Sequence, residues 1–162
     1  MEYLITKIFN RKIMIVGQGQ KVVAVCFNNQ SDFSRYLKSS TENDQSVALN
    51  NLKNQLSEYE TGSRKQFDIK MLLSGTKFQQ QVWGQISRIP YGQKMTYLEV
   101  AKAISKPRSY RAVANAIGKN PIAIVIPCHR VLKSNGDLGG YSSGIDIKKL
   151  LLQKENINYN QV

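Results

Sequence analysis

The apolar positions of this chain change period several times, from strand-like runs to helical spacing and back. Ile13-Met14-Ile15-Val16 and Lys21-Val22-Val23-Ala24-Val25-Cys26-Phe27 are two such runs separated by Gly17-Gln18-Gly19-Gln20, the pattern of a hairpin closed by a glycine turn. Cys26 sits inside the second run and reads as a core residue, since free cysteine behaves as a small hydrophobe. Ser31-Asp32 starts a short helix through Leu37. Val47, Leu49, Leu52, Leu56 and Tyr59 then recur at near-helical spacing from Ser46 until Thr61-Gly62-Ser63 ends the pattern. Phe67, Ile69 and Met71 alternate with polar neighbours, as a half-buried strand would.

Leu72-Leu73-Ser74-Gly75-Thr76 reads as a boundary, dividing the chain into domains at 1–73 and 74–162. Phe78, Val82, Trp83 and Ile86 mark one face of a helix that ends before Pro90-Tyr91-Gly92, with Trp83 in the core. Thr96 followed three residues later by Glu99 forms a capping box. A helix is predicted to start there, run through Val100, Ala101 and Ile104, and stop before Lys106-Pro107. Arg108 to Ile117 is a second helix with Ala112, Val113, Ala116 and Ile117 facing inward and Gly118 as its stop. Two short helices joined by a tight turn make a helix-turn-helix, whose second helix lies against DNA. Arg108, Arg111 and Asn115 share its outer face, and the small Ala114 permits close approach.

Candidate chemistry gathers at Asn120-Pro121-Ile122-Ala123-Ile124-Val125-Ile126-Pro127-Cys128-His129-Arg130-Val131. Five apolar residues between two prolines read as a short buried strand with a thiol just past its exit. Cysteine attacks as its thiolate, which needs a positive or hydrogen-bonding environment, and His129 and Arg130 follow directly. A cysteine hydrolase needs a separate histidine in contact with the thiol, and this chain has a single histidine, the next residue. Neighbouring side chains of an extended segment point to opposite faces, so a direct pair is awkward, while a water relay or a bend is easier. Asp146 reads as the N-cap of a last helix with Ile147, Leu150 and Leu151 inward. Glu155 falls on that stripe, and an inward carboxylate wants a buried partner.

Bulk composition narrows the options. The formal charge is +12, which favours a polyanionic partner. Residues 1–73 hold ten Lys/Arg against seven Asp/Glu, and residues 74–162 hold thirteen against four, so the excess lies in the half with Cys128. Two cysteines without CxxC spacing and one histidine do not assemble a four-ligand zinc site from Cys and His, and no metal or cofactor is expected. No run approaches the roughly 18 apolar residues of a membrane span, so a soluble intracellular protein without a membrane partner is expected.

Pro127-Cys128-His129-Arg130-Val131, the upstream Arg111-Ala112-Val113, Asn120-Pro121 and the downstream Gly139-Gly140-Tyr141-Ser142 stand in the order seen in the O6-alkylguanine-DNA alkyltransferases, also called methylated-DNA-protein-cysteine methyltransferases. The chain resembles that family over residues 75–155. The resemblance implies an α/β (α+β) fold. A small N-terminal RNase H-like sheet-and-helix domain gives support, and a mostly helical, winged-helix-like helix-turn-helix domain carries the cysteine. It also implies a Cys-water-His-Glu network in which Cys128 is nucleophile and alkyl acceptor, His129 the water-mediated base and Glu155 its orienting carboxylate. Tyr97 would help rotate the nucleotide and give a proton to the leaving guanine, and Asn120 would act as the hinge of the active-site segment. Arg111 is similar to the arginine that enters the duplex, on a helix using the minor groove, with Arg108, Ala112, Ala114 and Asn115 on the DNA side. The base pocket would draw on Tyr97, the carbonyls of Val131 and Cys128, Tyr141 packed on the base, and backbone near Ser142 and Ser143. Two positions depart from the usual pattern: Ser143 where Gly or a bulkier residue is common, and Ala114 where a glycine is.

The activity this implies is single-turnover DNA repair. The alkyl group of O6-alkylguanine, and less efficiently of O4-alkylthymine, passes from double-stranded DNA to Cys128 of a monomer with no obligate protein partner, in the cytoplasm or, in a eukaryote, the nucleus. A non-reacting alkyltransferase-like damage sensor is the alternative, and such proteins replace the cysteine that is present here. A helix-turn-helix regulator finds no support beyond the two helices.

Overall fold

The computed structural model describes residues 1–161 and separates into two compact units, Met1–Leu73 and Ser74–Val162. In the first, the apolar runs become a sheet of β1 (Glu2–Ile8), β2 (Arg11–Gln18), β3 (Lys21–Phe27) and a short β4 (Thr41–Glu42), ordered β3-β2-β1-β4. β1–β2 and β2–β3 are antiparallel and β4 runs parallel to β1. Ile13 to Val16 are all buried because both faces of the sheet are covered. Met14 and Val16 join Tyr3, Ala24 and Cys26 around Phe33 of helix α1 (Ser31–Ser39). On the other face a Cβ at Gly17 would lie 2.8 Å from Leu49 of helix α2 (Val47–Thr61), so the absent side chain allows that close approach. Ser46 caps α2, and Gly62, at φ 91°, ends it in the left-handed conformation.

Sequence pattern and structure differ here in two places. β1 escaped the pattern reading because its first residues show no clean alternation. The strand expected over Phe67–Met71 is reduced to one bridge, Val22 to Met71, with Val22 N donating to Lys70 O and Leu72 N to Val22 O. The half-buried alternation of Phe67, Ile69 and Met71 survives, but the pairing does not extend along the strand.

The second unit is mostly helical. Thr76 and Gln79 form a capping box at the start of α3 (Lys77–Ile86), and Trp83 is buried with its Nε1 donating to Ala116 O at 2.8 Å. Thr96 and Glu99 cap α4 (Tyr97–Ala103) as the spacing predicts. A 3-10 turn over Pro107–Ser109 leads into α5 (Tyr110–Gly118). The second helix therefore begins two residues later than expected. Proline fixes the tight turn, and Arg108 lies in that turn rather than on the helix. Gly118 is the last residue of α5 and is not in the left-handed region, and Ala112 is exposed, correcting the expectation that it faces inward.

The segment between the prolines is buried but is not a strand. Val125 N donates to Ala123 O and Ile126 N to Ile122 O, folding it into a tight loop with Ile124 at φ 72°. That is a sterically disfavoured backbone for a β-branched residue. Cys128–Arg130 form a 3-10 turn, followed by β6 (Val131–Leu132), which pairs in parallel with β5 (Met95–Thr96). The last helix, α6 (Ile145–Lys154), is capped by Gly144, so Asp146 lies in its first turn rather than at its cap. Glu155 is the C-cap, one residue beyond the helix, yet its side chain is still buried. Among the described residues, no helix is long and apolar enough to cross a membrane, and no cluster of three His, Cys, Asp or Glu could hold a metal.

Candidate active site

The β5–β6 pairing has a direct consequence for the chemistry. Thr96, the N-cap of α4, is aligned with Leu132, so Tyr97 at the start of α4 is brought beside the Cys128–Arg130 turn. A pocket of about 650 Å³ opens there, with Cys128 in its lining. Tyr97, Leu98, Arg111, Ala114 and Asn115 line it from α4 and α5, and Lys133, Ser134 and Gly139 to Ser142 line it from the loop after β6. It is large enough for a ligand of nucleobase size with a substituent.

Cys128 is 5% exposed and fixed by its neighbours. Asn120 Nδ2 donates to Cys128 Sγ at 3.1 Å and to Ile126 O at 2.7 Å, while Asn120 Oδ1 accepts from Ile122 N at 3.0 Å. One side chain thus ties both ends of the strained loop and touches the sulfur. Burial pushes the Cys128 thiol above its ordinary pKa. The Asn120 hydrogen bond, the positive charge of Lys148 and a hydrogen bond from Tyr141 pull it back down. The net direction is upward.

His129, on the next residue, points into the protein. The 3-10 turn resolves the awkward neighbour geometry, directing the imidazole to Glu155, where Nε2 and Oε2 are 2.5 Å apart. Its Nδ1 is buried with no hydrogen-bond partner among the described residues. Burial lowers the imidazole pKa more than Glu155 raises it, so the ring is neutral near pH 7 and free to accept a proton.

Glu155 serves the neutral His129 ring and one cation, Arg130. Arg130 Nε donates to its Oε1 at 2.8 Å and Arg130 Nη2 to its Oε2 at 3.2 Å, and Gly92 N donates to Oε1 at 3.0 Å. Arg130 spends Nη1 on Ile89 O at 2.6 Å. Arg130 therefore neutralises the buried carboxylate that orients the histidine, a role its position beside Cys128 does not reveal.

Lys148 was absent from the sequence reading altogether. It is fully buried, with Nζ donating to Val131 O at 2.8 Å, Leu138 O at 2.5 Å and Gly140 O at 3.3 Å. Burial brings its ammonium down to about 8, against an upward pull from Cys128. Helical spacing carried the signal, for Lys148 lies three and four residues before Leu151 and Leu152, on the buried stripe of α6.

Tyr97 and Tyr141 stand in the pocket lining, as does Ser142. Burial raises the Tyr97 hydroxyl, and the nearby Cys128 adds to the rise. A Cβ at Gly139 would fall 2.7 Å from Tyr97 Oη, so this glycine, at φ 71°, lets the loop close against the ring. Val131 and Ser143 are buried outside the lining, and the Val131 carbonyl is engaged by Lys148. Arg111 and Asn115 are exposed at the pocket rim, with Arg111 over the Tyr110 ring at 5.9 Å, while Arg108 and Ala112 lie outside the lining.

Residues 77–157 match the family profile described as the 6-O-methylguanine DNA methyltransferase DNA binding domain. The chain is 53% identical over 104 residues to a methylated-DNA–protein-cysteine methyltransferase of Methanosarcina barkeri, covering 64% of this chain and 66% of that relative, just under two thirds of its length. It is 36% identical over 151 residues to the constitutive enzyme of that name from Bacillus subtilis, covering 91% of this chain and 92% of the relative. Its fold matches the crystal structure of Mycobacterium tuberculosis OGT in complex with DNA with a TM-score of 0.87 at 35% identity, over 96% of this chain and 92% of that one. Similarity of this depth along nearly the whole length, joined to a buried thiol in this setting, places the chain in the methylated-DNA–protein-cysteine methyltransferase (O6-alkylguanine alkyltransferase) family.

Proposed function

We propose that this protein is a single-turnover DNA repair methyltransferase that binds duplex DNA, receives an extruded O6-alkylguanine in the pocket, and moves the alkyl group to Cys128. O4-alkylthymine is a second, poorer substrate. The observation that carries the reading is the position of Cys128 Sγ, held 3.1 Å from Asn120 Nδ2 in the lining of a base-sized pocket whose rim is the Arg111–Asn115 face of α5. An alkylated O6 is out of reach inside a duplex, so the base must leave the stack, and Arg111 takes up the space it leaves, a reading supported by its exposure at the pocket rim.

In the reaction the Cys128 thiol loses its proton to the neutral His129, through a water at Nδ1, and the Glu155 carboxylate, held in place by Arg130, steadies the charge that develops on the ring. The sulfur then forms a bond to the alkyl carbon as the bond from that carbon to O6 breaks, and the electron pair passes to the guanine. Tyr97 supplies a proton to the departing base. The product is a thioether, which offers water no leaving group, so each molecule reacts once. The 1–73 domain acts as support, and the 74–162 domain carries DNA binding and transfer. The protein works as a monomer where the DNA is, in the cytoplasm or, in a eukaryote, the nucleus.

Intact-protein mass after incubation with a duplex containing one O6-methylguanine, followed by peptide mapping, tests this. The expected result is one added methyl group, on Cys128, stopping at one equivalent. Lesion-selective binding with no mass change would replace the reading with that of a non-reacting sensor.

A further inference from the structure

We infer that Asn160 is a positioning residue that sets how the pocket discriminates alkyl groups by size. It does so by clasping the turn that carries the pocket's outer wall. The inference rests on the alkyl-transfer reading above.

The wall is the loop after β6. It begins with a turn in which Gly136 N donates to Lys133 O at 2.9 Å and Lys133 N to Asp137 O at 2.9 Å, with Asn135 Oδ1 accepting from Asp137 N at 3.0 Å. Lys133 and Ser134 of this turn line the pocket, and so do Gly139 to Ser142 just beyond it. Asn160 reaches three consecutive residues of the turn. Its backbone N donates to Gly136 O at 2.9 Å, and its Nδ2 donates to Asn135 O at 2.6 Å and to Asp137 Oδ1 at 3.2 Å. Gly136, at φ 89°, leaves room for this, because a Cβ there would lie 3.1 Å from Asn160 Nδ2.

The segment that delivers Asn160 is itself anchored. Asn156 reverses the chain at φ 56° after Glu155. Ile157 is buried with Leu132 and Leu152, against Leu138 and Tyr159, and Lys94 Nζ donates to Asn158 O at 2.7 Å. Residues 155–160 therefore run from the carboxylate that orients His129 to the outer wall of the pocket. Lys148 holds the wall's inner end through Leu138 O and Gly140 O, and Asn160 holds its outer end. An amide is required at 160, because it presents a donor to two acceptors. A carboxylate in its place would face the Asn135 carbonyl and the Asp137 carboxylate with no proton to give.

The geometry separates small from large substituents. A methyl group fills little of the pocket, so its reaction depends on the wall holding the base at attack distance from Cys128, whereas a bulky group is wedged by its own contacts. A small misplacement costs rate steeply. Releasing the clasp lets the wall move outward, which slows methyl transfer and spares benzyl transfer.

The experiment compares single-turnover rates for O6-methylguanine and O6-benzylguanine in the same duplex, read by intact mass, for the unaltered protein, Asn160→Ala and Asn160→Asp. The methyl-to-benzyl rate ratio is expected to fall about fivefold in both variants, the effect of losing about one net hydrogen bond. Adding Asp137→Asn to Asn160→Asp restores a donor between the two side chains and is expected to recover part of the ratio. Asn160 is exposed, so these variants should fold. A general loss of stability would slow both substrates alike, and an unchanged ratio overturns the role given to Asn160. If the unaltered protein itself gains no alkyl group on Cys128, the transfer reading fails first, and the two failures are told apart.

Discussion

Glu155 Oε2 lies 2.5 Å from His129 Nε2 while the same carboxylate takes two hydrogen bonds from the Arg130 guanidinium. Neither the carboxylate nor the imidazole has any exposed side-chain surface. Replacing Glu155 with Gln leaves a buried guanidinium without its counter-charge and turns an amide NH2 toward groups that are themselves donors. Removing one partner of a buried ion pair costs about 3–5 kcal/mol. Urea unfolding of Glu155→Gln should show a loss of that size. A loss under about 1 kcal/mol would mean the pair is not what holds this corner together.

Lys148 carries three backbone carbonyls on one ammonium, two of them in the pocket wall. Lys148→Met keeps the apolar stem and removes the donors and the charge that favours the Cys128 thiolate. At pH 7 alkyl transfer should slow by about tenfold or more, as expected for losing charge-assisted hydrogen bonds. Since burial sets the ammonium near 8, the native protein sheds this charge as pH rises through 8. The gap between native and Lys148→Met rates should therefore narrow from pH 7 to pH 9. A gap that widens over that range would remove the charge from the account.

The single histidine also makes a prediction about stability against pH. Burial depresses the folded-state pKa of His129 below its unfolded value of 6.5, with Glu155 opposing the shift and Arg130 and Lys148 adding to it. The unfolded chain then binds a proton at higher pH than the folded one. The stabilisation is present above pH 6.5 and is lost as pH falls through the depressed folded value, with a limiting slope of about 1.4 kcal/mol per pH unit. Urea midpoints between pH 7.5 and 5 provide the check, and stability that holds steady or grows on acidification would contradict it.

Parts of this site were legible because local chemistry and tertiary structure agree there. Thr96 and Glu99 cap a helix whatever surrounds them, Gly62 stops α2 for a reason internal to its backbone, and Glu155 announced a buried partner by falling on an apolar stripe. The Pro121–Pro127 segment misled because burial and strand pairing usually go together. Here the apolar residues are buried in a loop closed on itself, with Asn120 supplying the bonds a neighbouring strand would have given. Lys148, and the pairing of Arg130 with Glu155, were hidden for a different reason. A charged residue reads as solvated until its acceptors are known, and those acceptors are backbone carbonyls and a carboxylate far away along the chain. The two-residue strands β5 and β6, which align Tyr97 with Cys128, are too short for any periodicity to show.

The last prediction concerns Arg111, which is exposed and lies at the rim of the pocket rather than beside the sulfur. Truncating it should leave the Cys128, His129 and Glu155 geometry intact, because none of their hydrogen bonds involves it. What Arg111→Ala removes, on the proposed mechanism, is the group that occupies the space vacated by the extruded base. Unstacking and unpairing a nucleotide costs a few kcal/mol, so transfer from O6-methylguanine in a duplex should slow by about tenfold or more. A free alkylated base needs no extrusion, and O6-benzylguanine in solution should react with Arg111→Ala at nearly the native rate. The two rates can be measured in parallel from the mass of the alkylated protein. Equal losses on both substrates would show that Arg111 acts on the pocket itself, and extrusion would have to be assigned to another residue of the α5 face.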